Sequence, residues 1–258
     1  MRVLVAGNGF IGQALVERLD DEHEITTLDA DDADITQDIT QSFEVEEEFD
    51  VVYHTIGLAP GLYSEETYRN VHVEGTRNLL DAVETEKVVY VSALRAGESD
   101  YSFFTTKKEA EELVKDSGLD YTIVRPSTVY GEGNKLIDTL RRAAKTHVFP
   151  DIEAEIQPIQ LDDLVEVLVE CGERFSGEEL EIAGPEKMKV TEFVREIYRQ
   201  EGKPCHLFSF PEKPMSIGLK VLDRLPRPLS YGHYELLSHH NVTDDNDATD
   251  IVDLEPVF

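Results

Sequence analysis

Apolar positions along this chain of 258 residues fall into two alternating rhythms. Short unbroken runs, Val3-Leu4-Val5-Ala6, Val51-Val52-Tyr53 and Val88-Val89-Tyr90-Val91, read as strands buried on both faces, as a parallel sheet requires. Between them lie longer stretches with apolar residues at helical spacing, such as Ile11, Leu15, Val16 and Leu19. In order, the pattern predicts strand 2–6, helix 13–19, strand 23–28, a short helix over 40–48, strand 51–54 and one long helix over 65–83. Strand 88–91, a strand from 119 with a loop to 131, and helix 135–146 come after it. Next are a strand running into a helix over 156–168 with Asp162 as its N-cap, strand 180–182, helix 190–200 and strand 206–211. A helix over 214–225, the turn 226–230 and a helix ending at 236–242 complete the series. Strands alternating with helices predict an α/β protein.

The first thirty residues say what the sheet is for. Strand 2–6 runs straight into Gly7-Asn8-Gly9-Phe10-Ile11-Gly12, then a helix, a second strand and Asp29. A G-x-G-x-x-G between strand and helix is the turn that receives a dinucleotide, its pyrophosphate resting on the N–H groups at the helix start. Gly7 permits the tight turn, Gly9 lets backbone approach the pyrophosphate, and Gly12 lets helix pack on strand. Asp29 stands 17 positions beyond Gly12, near the roughly 20 expected for the acid that holds the adenosine ribose 2′-OH. A carboxylate there repels a 2′-phosphate, and no Arg or Lys lies between Arg18 and Arg69; NAD(H) is therefore expected over NADP(H). The fold expected is a Rossmann-type doubly wound parallel sheet with a small C-terminal α/β lobe. Residues 30–36 are too few for the usual helix and strand, which leaves the sheet room for one strand fewer. Asp34-Ile35 reads either as lining the adenine edge or as an acidic turn, and Thr55-Ile56-Gly57 stands where the ligand crevice opens.

Composition changes the picture in one respect. Asp and Glu number 54 against 24 Lys and Arg, a net charge of −30. Nucleic acid needs a basic footprint and is excluded as a partner, and an anionic membrane is disfavoured for the same reason. The acids are spread along the chain and read as solvated surface, a balance similar to that of halophilic archaeal proteins. Cys171 and Cys205 lack metal-ligand spacing, and no metal is expected. With no signal before strand 2–6 and no apolar run of spanning length, a cytoplasmic protein without a membrane span is expected.

Two further stretches carry a resemblance. Tyr68-Arg69-Asn70-Val71-His72-Val73-Glu74-Gly75-Thr76-Arg77-Asn78-Leu79-Leu80-Asp81-Ala82 resembles the N-V-x-G-T-x-N-L-L-x-A helix of the extended short-chain dehydrogenase/reductase superfamily, of the NAD-dependent epimerase/dehydratase type. The stretch Tyr101–Val114 looks like that family's Y-x-x-x-K helix, and Leu119–Gly131 like its strand and loop ending R-P-s-x-v-Y-G. The resemblance implies that Asn70 braces backbone near the site, that Lys107 bonds the nicotinamide ribose, and that Pro126, Ser127 and Thr128 back the nicotinamide face. It places a catalytic Ser-Ser pair at 92–93, where the chain reads Ser92-Ala93, and the catalytic tyrosine at Phe103. Phenylalanine transfers no proton. Ser92 and Tyr101 are the remaining hydroxyl candidates beside Lys107, and His54 reads as a core residue or an acid–base group.

The end of the chain resembles the atypical branch that contains an accessory subunit of respiratory complex I. Two readings stand open. One is an NAD-dependent oxidoreductase or epimerase/dehydratase acting on a sugar nucleotide or another hydroxyl/carbonyl compound. The other is a non-catalytic NAD(H)-binding structural or redox-sensing subunit of a larger complex. A homodimer through helices 71–82 and 106–114 is the family expectation. Residues 1–130 are expected as the cofactor core and 131–245 as a substrate-side lobe whose helix 161–172 packs back on it. Residues 246–258 are expected as an acidic, partly ordered tail in which Ile251, Val252, Leu254 and Phe258 are able to dock.

Overall fold

The structure, a computed structural model, describes residues 1–209, 234 and 236–258. The expected helix 214–225 and the turn 226–230 lie outside the described residues.

Six strands come first: β1 (Arg2–Ala6), β2 (Glu24–Asp29), β3 (Ile35–Thr36), β4 (Glu48–His54), β5 (Glu84–Val91) and β6 (Asp120–Pro126). After them come β7 (Val129–Tyr130), β8 (Val148–Pro150), β9 (Glu155–Ile156), β10 (Ile159–Gln160), β11 (Glu178–Ile182), β12 (Met188–Lys189) and β13 (His206–Phe208). Seven of these form one sheet in the order β11-β6-β5-β4-β1-β2-β3, every pairing parallel. No strand position is lost: the edge strand β3 is cut to two residues, and the helix before it is what the short loop leaves out. The order reverses beside β1, which opens the ligand crevice at its carboxyl end.

Both faces of the sheet are covered, which is why its strands are continuously apolar. Val3 and Val5 face α1 (Phe10–Leu19) and α6 (Leu161–Glu173) through Leu15, Leu19, Leu164 and Leu168. Leu4 and Ala6, one residue out of phase, face α3 (Gly75–Ala82) and α4 (Ser102–Asp116) through Leu79, Ala110 and Val114. A separate apolar cluster joins α5 (Lys135–Ala143) to α7 (Val190–Gln200) through Ile137, Leu140, Phe193, Val194 and Ile197.

Three local expectations are corrected. Residues 42–47 form no helix. Phe43 and Val45 alternate inward onto the cluster around Leu79, and Val45 N–H bonds Ala82 O, so tertiary contacts override the acidic run's helix propensity. The long helix over 65–83 is interrupted: α2 (Glu65–Tyr68) passes through a π-helical turn (Arg69–Glu74) before α3. The N-cap of α6 is Gln160, and Asp162 lies inside the first turn.

The final residues close the other sheet edge. Asp247 exchanges backbone and side-chain bonds with Glu181 of β11, and the Asn246 side chain bonds Ala183 N–H and C=O, standing in for a further strand. The turn α8 (Ala248–Ile251) buries Ala248, and Ile251, Val252 and Leu254 pack on the same cluster as α1 and α6. Among the described residues no helix is long and apolar enough to cross a membrane.

Candidate functional site

The crevice is built from the segments that leave the carboxyl ends of β1, β2, β4 and β5. Gly7 leaves β1 at φ 115°, and Thr55 after β4 donates its hydroxyl to the Ala6 and Gly7 carbonyls at 3.1 and 3.0 Å. A Cβ on Gly7 would lie 2.5 Å from that hydroxyl, and one on Gly12 would lie 1.7 Å from Gly7 O. Gly9 is different: a Cβ there meets nothing within 4 Å and would stand in open space. Gly9 caps α1 without a side-chain bond and no acid occupies the first turn, so the N–H groups of Phe10, Ile11 and Gly12 are left for an anion. Ile11 packs into the core, while Phe10 abuts Gly131 and Gly133.

At the adenosine side, Asp29 accepts the N–H of Asn8 (2.6 Å) and of Ala30 (2.7 Å), one on each oxygen, which leaves each oxygen a further lone pair. Asp34 is turned elsewhere. Its Oδ2 accepts the Thr27 N–H and hydroxyl at 2.9 and 2.8 Å, bonds that hold its carboxyl below the usual carboxylate range. Ile35 pairs with Leu28 at the sheet edge. An uncapped helix start, an open cradle at Gly9 and an acid with spare lone pairs fit an NAD molecule laid across β1.

At the other end stands Lys107 on α4, almost fully buried. Its Nζ donates to Val91 O at 2.8 Å and sits 4.9 Å over the Tyr90 ring; burial pushes its pKa down to about 7 against the pull of Glu111. A Cβ on Gly57 would come within 3.1 Å of that Nζ, so a side chain there would crowd the lysine. Ile56, just before it, packs on the cluster around Leu4 and Leu79.

The hydroxyl candidates are engaged by the fold. Ser92 donates to Glu111 Oε1 at 2.6 Å, inside a buried group in which Glu111 also holds Arg125 and Lys108. Ala93 and Phe103 belong to an aromatic cluster with Tyr68 and Phe104, in which Phe103 meets Tyr68, His72 and Phe104 edge to face at 5.7, 5.5 and 5.1 Å. Tyr101 Oη accepts the Gly61 N–H at 2.8 Å, and its residue lines an open polar depression of about 540 Å³ with Glu65, Arg95, Glu98, Asp100 and His239. His54 is a core residue: burial, helped by Lys107, lowers its pKa to about 3, and its Nε2 bonds Thr76. Ser127 donates to Asn241 O, and Thr128 O accepts the Ile159 N–H, so this loop is covered by residues far along the chain; Pro126 O takes the Leu94 N–H. Among the described residues no group of three His, Cys, Asp or Glu is placed to hold a metal.

The position expected of Asn70 is corrected. Asn70 is exposed on the π-helical turn, whereas His72 points inward, its Nε2 accepting the Leu58 N–H at 3.2 Å and its Nδ1 bonded to Thr106 at 2.9 Å. The signal was available: counted back from Gly75-Thr76, the motif's N-V-x-G-T frame falls on His72-Val73.

Known proteins point the same way. Residues 3–183 match the profile described as NAD dependent epimerase/dehydratase family. The 40 kDa subunit of mitochondrial NADH-ubiquinone oxidoreductase from Neurospora crassa is 27% identical over 161 residues, covering 58% of this chain and 43% of that protein. Subunit 9 of the NADH dehydrogenase [ubiquinone] 1 alpha subcomplex from Dictyostelium discoideum is 29% identical over 132 residues, 48% of this chain and 37% of that protein. The chain thus spans less than half the length of these two relatives. Among solved structures, UDP-glucuronic acid 4-epimerase from Bacillus cereus, in complex with NAD, superposes with a TM-score of 0.74 at 17% identity, over 100% of this chain and 95% of that one.

Proposed function

The chain belongs to the NAD dependent epimerase/dehydratase family, and on that footing we propose that it binds NAD(H) in preference to NADP(H) and holds it over a site without the family's proton-transferring tyrosine. The observation that carries this reading is the pairing of an open Gly9 cradle and Asp29 at one end with Phe103, locked among rings, at the other. When bound, the nicotinamide supplies a hydride or takes one up. The chain's own part is to seat the pyrophosphate on the Phe10–Gly12 amides, to bond the ribose hydroxyls through Asp29 and Lys107, and to keep Gly57 free of a side chain beside that lysine. Pro126, Ser127 and Thr128 back the nicotinamide face in this reading, with residues 1–130 as the cofactor half and 131–245 as the lobe over it. Two separated cysteines, both free thiols, fit a reducing, cytoplasmic setting.

NADH and NADPH titrated by fluorescence, with Asp29→Ala as the control, test the assignment. NADH is expected to bind the tighter, and Asp29→Ala to weaken it by about tenfold, the worth of one charge-assisted hydrogen bond. Equal affinity for both nucleotides overturns the role given to Asp29.

If the chain is an enzyme, its substrate is a sugar nucleotide or a similar hydroxyl/carbonyl compound, and the proton must come from Tyr101 or water. A second reading, a non-catalytic NAD(H)-binding subunit of a respiratory-type complex, is favoured by the engagement of Ser92 with Glu111 and of His54 with Thr76. It also agrees with the names of the two relatives. The helices expected to pair two copies lie side by side within one copy. Under the second reading the parent protein turns over no alcohol or sugar nucleotide with NAD, and Ala93→Ser with Phe103→Tyr restores a measurable rate. A parent that is already active, with a double variant no faster, removes the proton-transfer argument.

A further inference from the structure

We propose that His72 is the positioning residue of this cofactor site: it fixes the Gly57–Leu58 peptide against Lys107 through its Nε2 atom, and the NAD(H) affinity depends on that single bond. The inference rests on the cofactor reading above, but the clamp itself is seen in the fold.

The two ring nitrogens have separate tasks. Leu58 N–H donates to Nε2, so Nε2 carries no proton and Nδ1 does. Nδ1–H then donates to Thr106 Oγ1, whose own proton goes to Ser102 O at 2.7 Å, at the start of α4. The backbone of His72 is held as well: Thr76 gives its hydroxyl proton to His72 O at 2.6 Å and accepts Nε2–H of His54. Thr76, Thr106, His54 and His72 are all within 1% of full burial, so this chain of bonds is shielded from water. Its outlet is Leu58. The peptide so held is the one whose Gly57 passes Lys107, and a Cβ on Gly57 would also come within 3.9 Å of Nε2. The loop therefore runs between an ammonium and an imidazole, and the Nε2 acceptor holds it there. Burial, then Lys107 and His54, lowers the pKa of His72 to about 2, so the acceptor persists at any working pH.

Two amide variants separate the two bonds, because Gln reaches as far as Nε2 and Asn only as far as Nδ1. His72→Gln is expected to keep the Leu58 bond and an NADH dissociation constant within about threefold of the parent, and His72→Asn to lose about tenfold. The second measurement needs no cofactor: hydrogen exchange at the Leu58 amide should stay slow in His72→Gln and become fast in His72→Asn. Both variants lose part of the ring's packing, so equal melting temperatures with unequal exchange identify the bond. If both variants bind NADH alike and protect Leu58 alike, His72 is packing only and the proposal falls. If the parent binds no NADH while Leu58 exchange still divides the two variants, the cofactor reading fails and the clamp stands.

Discussion

A methyl group placed at Gly9 and one placed at Gly12 test opposite things. The first would stand in open space with nothing within 4 Å, and its φ of −93° suits any residue. Gly9→Ala should therefore fold with an unchanged melting temperature and lose NADH binding, as the methyl enters the pyrophosphate's path. The second would stand 1.7 Å from a backbone carbonyl that Thr55 pins in place. Gly12→Ala should destabilise by about 3 kcal/mol, the upper range for overpacking, whatever ligand is present. Thermal melts beside NADH titrations read both. A Gly9→Ala protein that binds NADH as the parent does would move the anion site elsewhere.

At the level of elements, α4 is the busiest. Its inner face supplies Phe103 to the aromatic cluster, Lys107 to the crevice and Glu111 to β5 and β6. Burial alone would raise the Glu111 carboxyl, but the Arg125 fork, the Ser92 hydroxyl and Lys108 hold it below its usual value of 4.5. A carboxylate held low in the folded state adds stability that is fully present above that value and is lost as pH falls through the lower folded one. Glu111→Gln should cost about 2 kcal/mol at pH 7, removing the fork on Arg125, which keeps only its second partner Glu179. The difference from the parent should shrink in acid, as urea midpoints at pH 7 and near pH 3 will show. A gap that does not change with pH would mean that packing, not charge, is what Glu111 contributes. The π-helical turn matters in the same way, since it is the element from which His72 turns inward while Asn70 faces water.

Across the whole molecule, charge is the dominant feature. Exposed ion pairs such as Arg18 with Glu166 and Lys189 with Glu153 stabilise little, because water and salt screen them. They cannot offset an excess of 30 acids. We expect the melting temperature to rise by several degrees or more between about 0.1 M and about 3 M KCl, as the screening length falls from ~10 Å towards ~3 Å or less. A melting temperature flat across that range would show that the acids do not repel one another in the folded chain. The edges of the sheet are the other global matter: the Asn246 and Asp247 side chains complete β11, so this part of the chain's end belongs to the sheet's architecture.

The order of residues alone determined the alternation of strand and helix, the glycine turn, the acid after β2 and the missing tyrosine. These are local: strand and helix periods act within about a dozen residues, and a glycine's freedom is its own. Tertiary structure alone decided where the polar side chains look. Ser92 finds Glu111 from 19 positions away and His72 finds Thr106 from 34. Phe43 and Val45 are drawn out of a helix by the underside of α3. A buried polar group takes whichever partner the packing brings within 3 Å, and a marginal helix yields to whichever surface it can cover. Neither partner nor surface is adjacent in the chain, so neither could be read from it.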